Sequence, residues 1–307
     1  MKVVIGLGGN ALLRRGQPME ANLQHRNIEV AAEAVARVAR EHTVILTHGN
    51  GPQVGLLALQ SAAYKGVRPY PLDLLNAETE GMLGYLLEQE LGNRLPEKEL
   101  ATLLTQVEVD PADPAFERPE KFIGPVYDQR EADAVKQKYG WTMACDGKRF
   151  RRTVPSPRPQ RIIELSTISM LAEAGALVIC TGGGGIPVVV TAGGGLMGVE
   201  AVIDKDYSTA MLATELKADM LLLLTDVDAV YAGWKKVTAR PFRSTSPRVL
   251  GRYLFAPGSM GPKVDAACNF VEHSGRPAAI GRLQDALEII NGELGTVILP
   301  DGLPGKL

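Results

Sequence analysis

Three lysines, Lys121, Lys205 and Lys263, occur in a chain whose glycines gather into Gly6-Leu7-Gly8-Gly9-Asn10, Gly182-Gly183-Gly184-Gly185 and Gly258-Ser259-Met260-Gly261. Each cluster follows or opens a run that reads as strand or helix. Glycine lets backbone N–H groups approach phosphate oxygens, and lysine supplies mobile positive charge. Together they suit phosphoryl transfer, in which negative charge on the moving group has to be stabilised. A P-loop, GxxxxGK(S/T), is absent from the chain. Gly6-x-Gly8-x-x-Ala11 fits the dinucleotide fingerprint, but the second strand ends at Thr47-His48-Gly49-Asn50 with no acid to hold a ribose. That missing acid argues against NAD.

Those residues must be positioned by a fold, and the apolar pattern indicates which. Val3-Val4-Ile5, Thr43 to Thr47, Thr102 to Val107, Ala176 to Cys180, Met220 to Leu224, Ala278 to Ile280 and Thr296 to Ile298 read as strands. Helical spacing covers Ile28 to Arg40, Gln53 to Tyr64, Leu72 to Leu91, Ser166 to Ala174, Ala201 to Lys217 and Pro262 to Ser274. Strands that are apolar throughout, alternating with helices, predict an α/β fold: an open, mainly parallel sheet in an αβα sandwich. From about Pro111 to Pro159 the apolar runs vanish, and Tyr127, Tyr139 and Trp141 could build a mini-core. This segment is expected to be a small inserted subdomain that adds little to the main core.

With 307 residues, 45% hydrophobic, the chain can bury a large core, and a net charge of -2 disfavours nucleic acid or an anionic membrane as partner. The N-terminus enters a strand directly, which predicts a cytoplasmic protein. Cys145, Cys180 and Cys268 have no metal-ligand spacing and are expected to be buried or semi-buried thiols. No protein-held metal is expected. The apolar stretches Leu56-Leu57-Ala58-Leu59 and Leu83 to Leu91 suggest a homodimer.

Several motifs, in order along essentially the whole chain, carry a family resemblance. Leu7-Gly8-Gly9-Asn10-Ala11-Leu12, His48-Gly49-Asn50-Gly51-Pro52-Gln53-Val54-Gly55, Lys121-x-Ile123-Gly124-Pro125, Gly182 to Val188, Asp204-Lys205-Asp206 and Thr225-Asp226-Val227-Asp228 resemble carbamate kinases of the amino-acid-kinase superfamily. One departure is Phe122, where that family usually has proline. The resemblance implies reversible phosphoryl transfer between ATP and carbamate, with ATP made from carbamoyl phosphate in arginine catabolism. It also implies a homodimer and Mg²⁺ carried by the nucleotide. Residues 1–200 would form the acceptor half, with the insert at about 111–159, and residues 201–307 the nucleotide half.

On this resemblance Lys121, Lys205, Asp206 and Lys263 are catalytic, with Lys121 swinging in from the insert; Asp206, acceptor-only when ionised, would orient Lys205 or other donors. Gly8, Gly9 and Asn10 would bind phosphate, and Gly49, Asn50, Gly51, Gly183 and Gly184 carbamate. Thr225, Asp226, Val227, Tyr231, Gly258 and Met260 would edge the nucleotide. Carbamate is already an anion, so no general base is needed, and none of the four histidines sits in a catalytic pattern. Two alternatives stay open: a related kinase for another small carboxylate or phosphate, and a nucleotide-sensing regulator on the same fold.

Overall fold

The computed structural model describes residues 1–13, 16–234, 238–256 and 258–302. Its centre is an eight-stranded sheet in the order Ser244–Thr245, Thr296–Ile298, Ala278–Arg282, Met220–Thr225, Lys2–Leu7, Thr43–His48, Leu177–Ile179, Leu100–Thr102. The strands from Ala278–Arg282 to Leu100–Thr102 are parallel, while Thr296–Ile298 runs antiparallel to its neighbour. Successive side chains alternate between two cores, which is why the strands are apolar throughout. Val3, Ile5, Leu7, Val44, Leu46 and Leu222 pack with helices Ala21–Ala39 and Leu72–Arg94. Val4, Ile45, Val178, Leu221 and Leu223 pack on the other side with helices Leu165–Glu173, Lys205–Glu215 and Met260–Ser274. The strand order reverses at Lys2–Leu7, and that reversal opens a crevice at the carboxyl edge.

The expected strand from Thr102 to Val107 is two strands in different sheets. Leu100–Thr102 ends the main sheet, whereas Gln106–Val109 joins a four-stranded sheet with Ile186–Val190, Leu196–Gly198 and Pro159–Ile162. The chain changes sheet across Leu103 to Thr105, and Thr105 is fully buried at the switch. Hydrophobicity does not mark this step, because Leu103 and Leu104 continue the apolar run although Leu104 is half-exposed. The Ala21–Ala39 helix also starts earlier than the apolar spacing suggests, because its polar first turns are partly buried, with Asn27 Nδ2 donating to Leu12 O at 3.3 Å.

The insert is a three-stranded sheet, Lys121–Tyr127, Arg149–Val154 and Met143–Asp146, with one helix, Gln129–Tyr139. An Asp128/Glu131 capping box starts that helix, and Gly140 at φ +69° ends it. Tyr139 stacks on Trp141 with centroids 4.8 Å apart, and Arg152 lies 4.0 Å over the Trp141 ring. Phe122 sits in regular strand pairing opposite Thr153, where, unlike proline, it retains a backbone N–H. The insert is less self-contained than expected. Ile123 and Val154 share a buried cluster with Val54, Ala58, Leu72, Leu75 and Val202 of the body. Gly124, at φ +71°, also lies backbone to backbone on Gly55, where any Cβ would overlap the Gly124 Cα.

Two smaller expectations change. Cys145 is exposed rather than buried. Leu83, Leu87 and Leu91 all face the monomer core, so they offer no dimer surface. The same helix instead exposes Leu74, Met82 and Tyr85. No helix among the described residues is long and apolar enough to cross a membrane.

Candidate active site

Two glycine turns meet at the carboxyl edge. Gly8 N–H donates to Leu224 O at 2.9 Å and Gly49 N–H to Leu7 O at 3.1 Å, so each turn is stitched to the neighbouring strand. A Cβ on Gly49 would sit 3.1 Å from Gly9 N, tighter than side chains normally pack, and in ordinary contact with Lys205 Cδ at 3.5 Å. Gly9 and Asn10 open the short helix Gly9–Leu12, whose first N–H groups have no intrahelical acceptor. Lys2, too early on its strand to serve this turn, donates instead to Leu216 O at 3.0 Å.

The lysines converge beside these turns. Asp204 caps the Lys205–Glu215 helix, accepting from Asp206 N at 3.0 Å. That cap turns Lys205 and Asp206 into the crevice. Lys205 Nζ donates to Asp206 Oδ1 at 2.6 Å, and Lys263 Nζ donates to Asp206 Oδ2 at 2.9 Å. Asp206 therefore bridges two lysines, Lys263 being the further donor it holds. Lys121, from the edge of the insert, pairs with the other oxygen of Asp204. The insert is thereby tied to the residue that caps the Lys205–Glu215 helix. Three ammonium groups, of Lys121, Lys205 and Lys263, thus face the carboxylates of Asp204 and Asp206, and Asp226 adds its charge to the field at Lys263.

The environment splits the two bridged lysines. Burial, opposed by Asp206, lowers the Lys205 pKa to about 8. Burial works the same way on Lys263, but the attraction of Asp206, Asp204 and Asp226 outweighs it and raises that pKa. Burial disfavours the Asp206 anion, yet the two ammonium groups hold its pKa far below the ordinary carboxylate range. Lys205 is thus a cation close to neutrality and Lys263 a permanent one.

On the acceptor side, Asn50 spends both Nδ2 hydrogens inside the protein, on Asn76 Oδ1 and Thr79 Oγ1, each at 2.8 Å. The tetraglycine turn lies directly against it. Gly183, at φ +67°, has no room for a Cβ beside the Asn50 side chain, and a Cβ on Gly184 would come within 2.6 Å of Ile203 O. Ser208, on the lysine helix, donates to Gly184 O at 2.7 Å. Gly51 begins helix Gly51–Ala63 beneath Phe122 O. His48, buried under the turn, has its pKa lowered by burial to about 4 and is neutral.

Thr225 and Asp226 leave the strand that also holds Gly8, and Asp226 acts electrostatically on Lys263. Val227 follows them at the same strand exit. Tyr231 is set further along, bonded to Asp228 at 3.0 Å and tilted against Trp234. Gly258 takes φ +70° just before Met260, which starts the helix that carries Lys263. The one grouping of metal-ligating side chains among the described residues is His25, Glu29 and Glu90, on other helices, where Glu90 also pairs with Arg94.

Sequence reasoning missed Asp204 as the partner of Lys121, and Asn76, Thr79 and Glu80 as the layer beneath the acceptor turns. A signal for that layer was available. Positions 72, 75, 76, 79, 80, 83 and 87 share one face of a helix, and three polar residues interrupt an otherwise apolar stripe. Arg158 was missed too. It stacks 3.4 Å over the Tyr207 ring and pairs with Asp265 at 3.1 Å, tying the exit of the insert to both lysine helices.

Residues 1–282 match the model of the amino acid kinase family. The chain is 57% identical to a carbamate kinase of Rhizobium meliloti over 97% of this chain and 93% of that protein. It is 51% identical to one of Haemophilus influenzae over 97% and 96%. Among solved structures, carbamate kinase from Giardia lamblia bound to AMP-PNP superposes with a TM-score of 0.88 at 38% identity, covering 98% of each chain. With its crevice, its lysine-bearing helices and these relatives, the chain belongs to the amino acid kinase family, in its carbamate kinase branch.

Proposed function

We propose that the lysine centre transfers a phosphoryl group reversibly between ATP and carbamate. A carbamate oxygen attacks the γ-phosphorus, the new O–P bond forms as the bond to the β-phosphate oxygen breaks, and carbamoyl phosphate and ADP result. No proton has to move, because the acceptor is already an anion. The barrier then falls through alignment and charge neutralisation. The observation that carries this reading is Asp206 bridging Lys205 and Lys263 at 2.6 and 2.9 Å beside the two glycine turns.

In this reading Lys205 stabilises the moving phosphoryl group, and Lys263 and Lys121 neutralise the flanking phosphates. The N–H groups of Gly8, Gly9 and Asn10 hold the β- and γ-phosphates, while Gly49 to Gly51 with Gly183 and Gly184 receive carbamate. Thr225 to Val227, Tyr231, Gly258 and Met260 flank the nucleotide; that a nucleotide binds at all is supported by the Giardia relative, which is bound to AMP-PNP. Residues 1–200 then serve the acceptor and 201–307 the nucleotide, within one continuous sheet. Mg²⁺ enters as the metal–nucleotide substrate, which lowers the negative charge that the lysines have to meet.

Exposed Leu74, Met82 and Tyr85 support a homodimer through the Leu72–Arg94 helix. The exposed free thiol of Cys145 accords with a reducing cytoplasm. The test of function is a coupled assay for ATP formation from ADP and carbamoyl phosphate. Turnover with carbamoyl phosphate and little with acetyl phosphate is expected; equal use of both would move the acceptor assignment to a general acyl-phosphate kinase.

A further inference from the structure

The Leu72–Arg94 helix buries a carboxyl group that the reaction as described does not use. Glu80 is 2% exposed. Its Oε2 accepts from Thr105 N–H at 2.9 Å, the Gly182 N–H lies close enough to favour its anion, and Oε1 makes no hydrogen bond among the described residues. Thr105 in turn grips both ends of the tetraglycine turn. Its hydroxyl accepts from Thr181 N–H at 3.0 Å, and its carbonyl accepts from Ile186 N–H at 2.8 Å. A Cβ on Gly182 would meet Glu80 Cγ at 2.8 Å and the His48 ring at 2.6 Å, so the turn rests directly on these two side chains.

That turn needs a clamp. Thr181 takes φ +47°, and Gly183, Gly184 and Gly185 take +67°, +101° and +93°, a run of left-handed backbone that holds only when its surroundings fix it. Asn76, one helical turn before Glu80, and Thr79, its immediate neighbour, fix Asn50, which packs on Gly183. A single face of the helix therefore sets both turns against each other.

We propose that Glu80 is a positioning residue for the acceptor, clamping the tetraglycine turn through Thr105 so that the turn and Asn50 form a pocket sized for a small anion. This rests on the reading of Gly49 to Gly51 with Gly183 and Gly184 as the acceptor site. A neutral acid suits the task, since a carboxylate under the pocket would repel the anion it receives. Burial pushes the Glu80 pKa well above the usual carboxylate range; Glu164, ahead of the Leu165–Glu173 helix, adds to the rise, and the Thr105 and Gly182 N–H groups oppose it. The other titratable groups against it, His48 and Cys180, are both held neutral by burial.

The test is steady-state kinetics in the ATP-forming direction on Glu80→Ala, Glu80→Gln and, as a control within the pocket, Asn50→Ala. Losing the buried acceptor should raise the KM for carbamoyl phosphate roughly tenfold in Glu80→Ala while the KM for ADP stays unchanged. Glu80→Gln, which keeps an uncharged acceptor oxygen for Thr105 N–H, should restore wild-type KM values. If Glu80→Ala does not fold, Thr105→Val, which removes the grip on Thr181, takes its place with the same expected split. An equal rise in both KM values, or a Gln variant as impaired as Ala, overturns the positioning role. Should Asn50→Ala leave the carbamoyl phosphate KM untouched, the acceptor-site reading falls and the proposal with it. If Asn50→Ala raises that KM and Glu80→Ala does not, only the role of Glu80 is refuted.

Discussion

The two sides of the crevice are held by different physics. On the phosphoryl side, charges hold charges: Lys121 on Asp204, and Lys205 and Lys263 on opposite oxygens of Asp206. On the acceptor side the supports are neutral: Asn50 on Asn76 and Thr79, His48 uncharged by burial, and glycines packed without room for side chains. The contrast follows from what each side must do. Charge that develops on a moving phosphoryl group is best met by fixed charges in a low-dielectric crevice. A small anion that has only to be placed is better served by shape and uncharged hydrogen bonds, which do not compete with the lysines.

Mutations on the charged side should act on turnover. Lys205→Ala is expected to lower kcat by about a thousandfold or more, with little change in ADP affinity measured by calorimetry. Collapse of ADP affinity with kcat retained would reverse the assignment. Asp206→Asn should cost roughly a hundredfold in kcat, because breaking a buried, hydrogen-bonded ion pair leaves two ammonium groups unheld. Lys121→Ala should cost less, about tenfold, since this lysine is partly exposed and, among the described residues, pairs with Asp204 alone. Wild-type turnover in that variant would reduce the insert to a bystander.

On the neutral side and at the insert, effects should fall on structure first. Gly55→Ala cannot keep the present contact with Gly124, so the insert must lift from the Gly51–Ala63 helix. We expect a stability loss of about 1–3 kcal/mol by denaturant unfolding, with faster hydrogen exchange in the strand Lys121–Tyr127. Unchanged exchange would mean that the backbone contact does not set the position of the insert. The smallest effect should come from Arg158→Ala, an exposed residue stacked on Tyr207: about 0.5–1 kcal/mol in stability.

The charged side was legible in the sequence and the neutral side much less so. Lys205 and Asp206 stand together in a motif at a helix start, and Gly8 follows an apolar strand, so local pattern reaches them. The pairing of Asp206 with Lys263, 57 positions away, depends on how two helices cross. Asp204 was visible only as part of a motif, because its partner Lys121 is 83 positions distant and on another subdomain. Glu80, Asn76 and Thr79 sit in a stretch that reads as an ordinary amphipathic helix until its polar positions are placed on the buried face. The sheet was legible because its strands are apolar on both faces, and for the same reason the exit at Leu103 to Thr105 was hidden. Gly55 and Gly124 each look like turn or motif glycines; only the packed insert shows that they exist for each other.

The central claim is that a buried, bridged Lys205 carries the phosphoryl group, and its titration tests this directly. With the pKa of Lys205 lowered to about 8, kcat/KM for carbamoyl phosphate should fall along an alkaline limb near that pH as the ammonium loses its proton. Asp206 supports the charged form of Lys205, so in Asp206→Asn the same limb should move to lower pH. A pH profile measured for wild type and Asp206→Asn decides the matter. A limb near 8 that shifts down in the variant is the predicted result; a wild-type profile flat to pH 10, or a limb that Asp206→Asn leaves in place, would contradict the account.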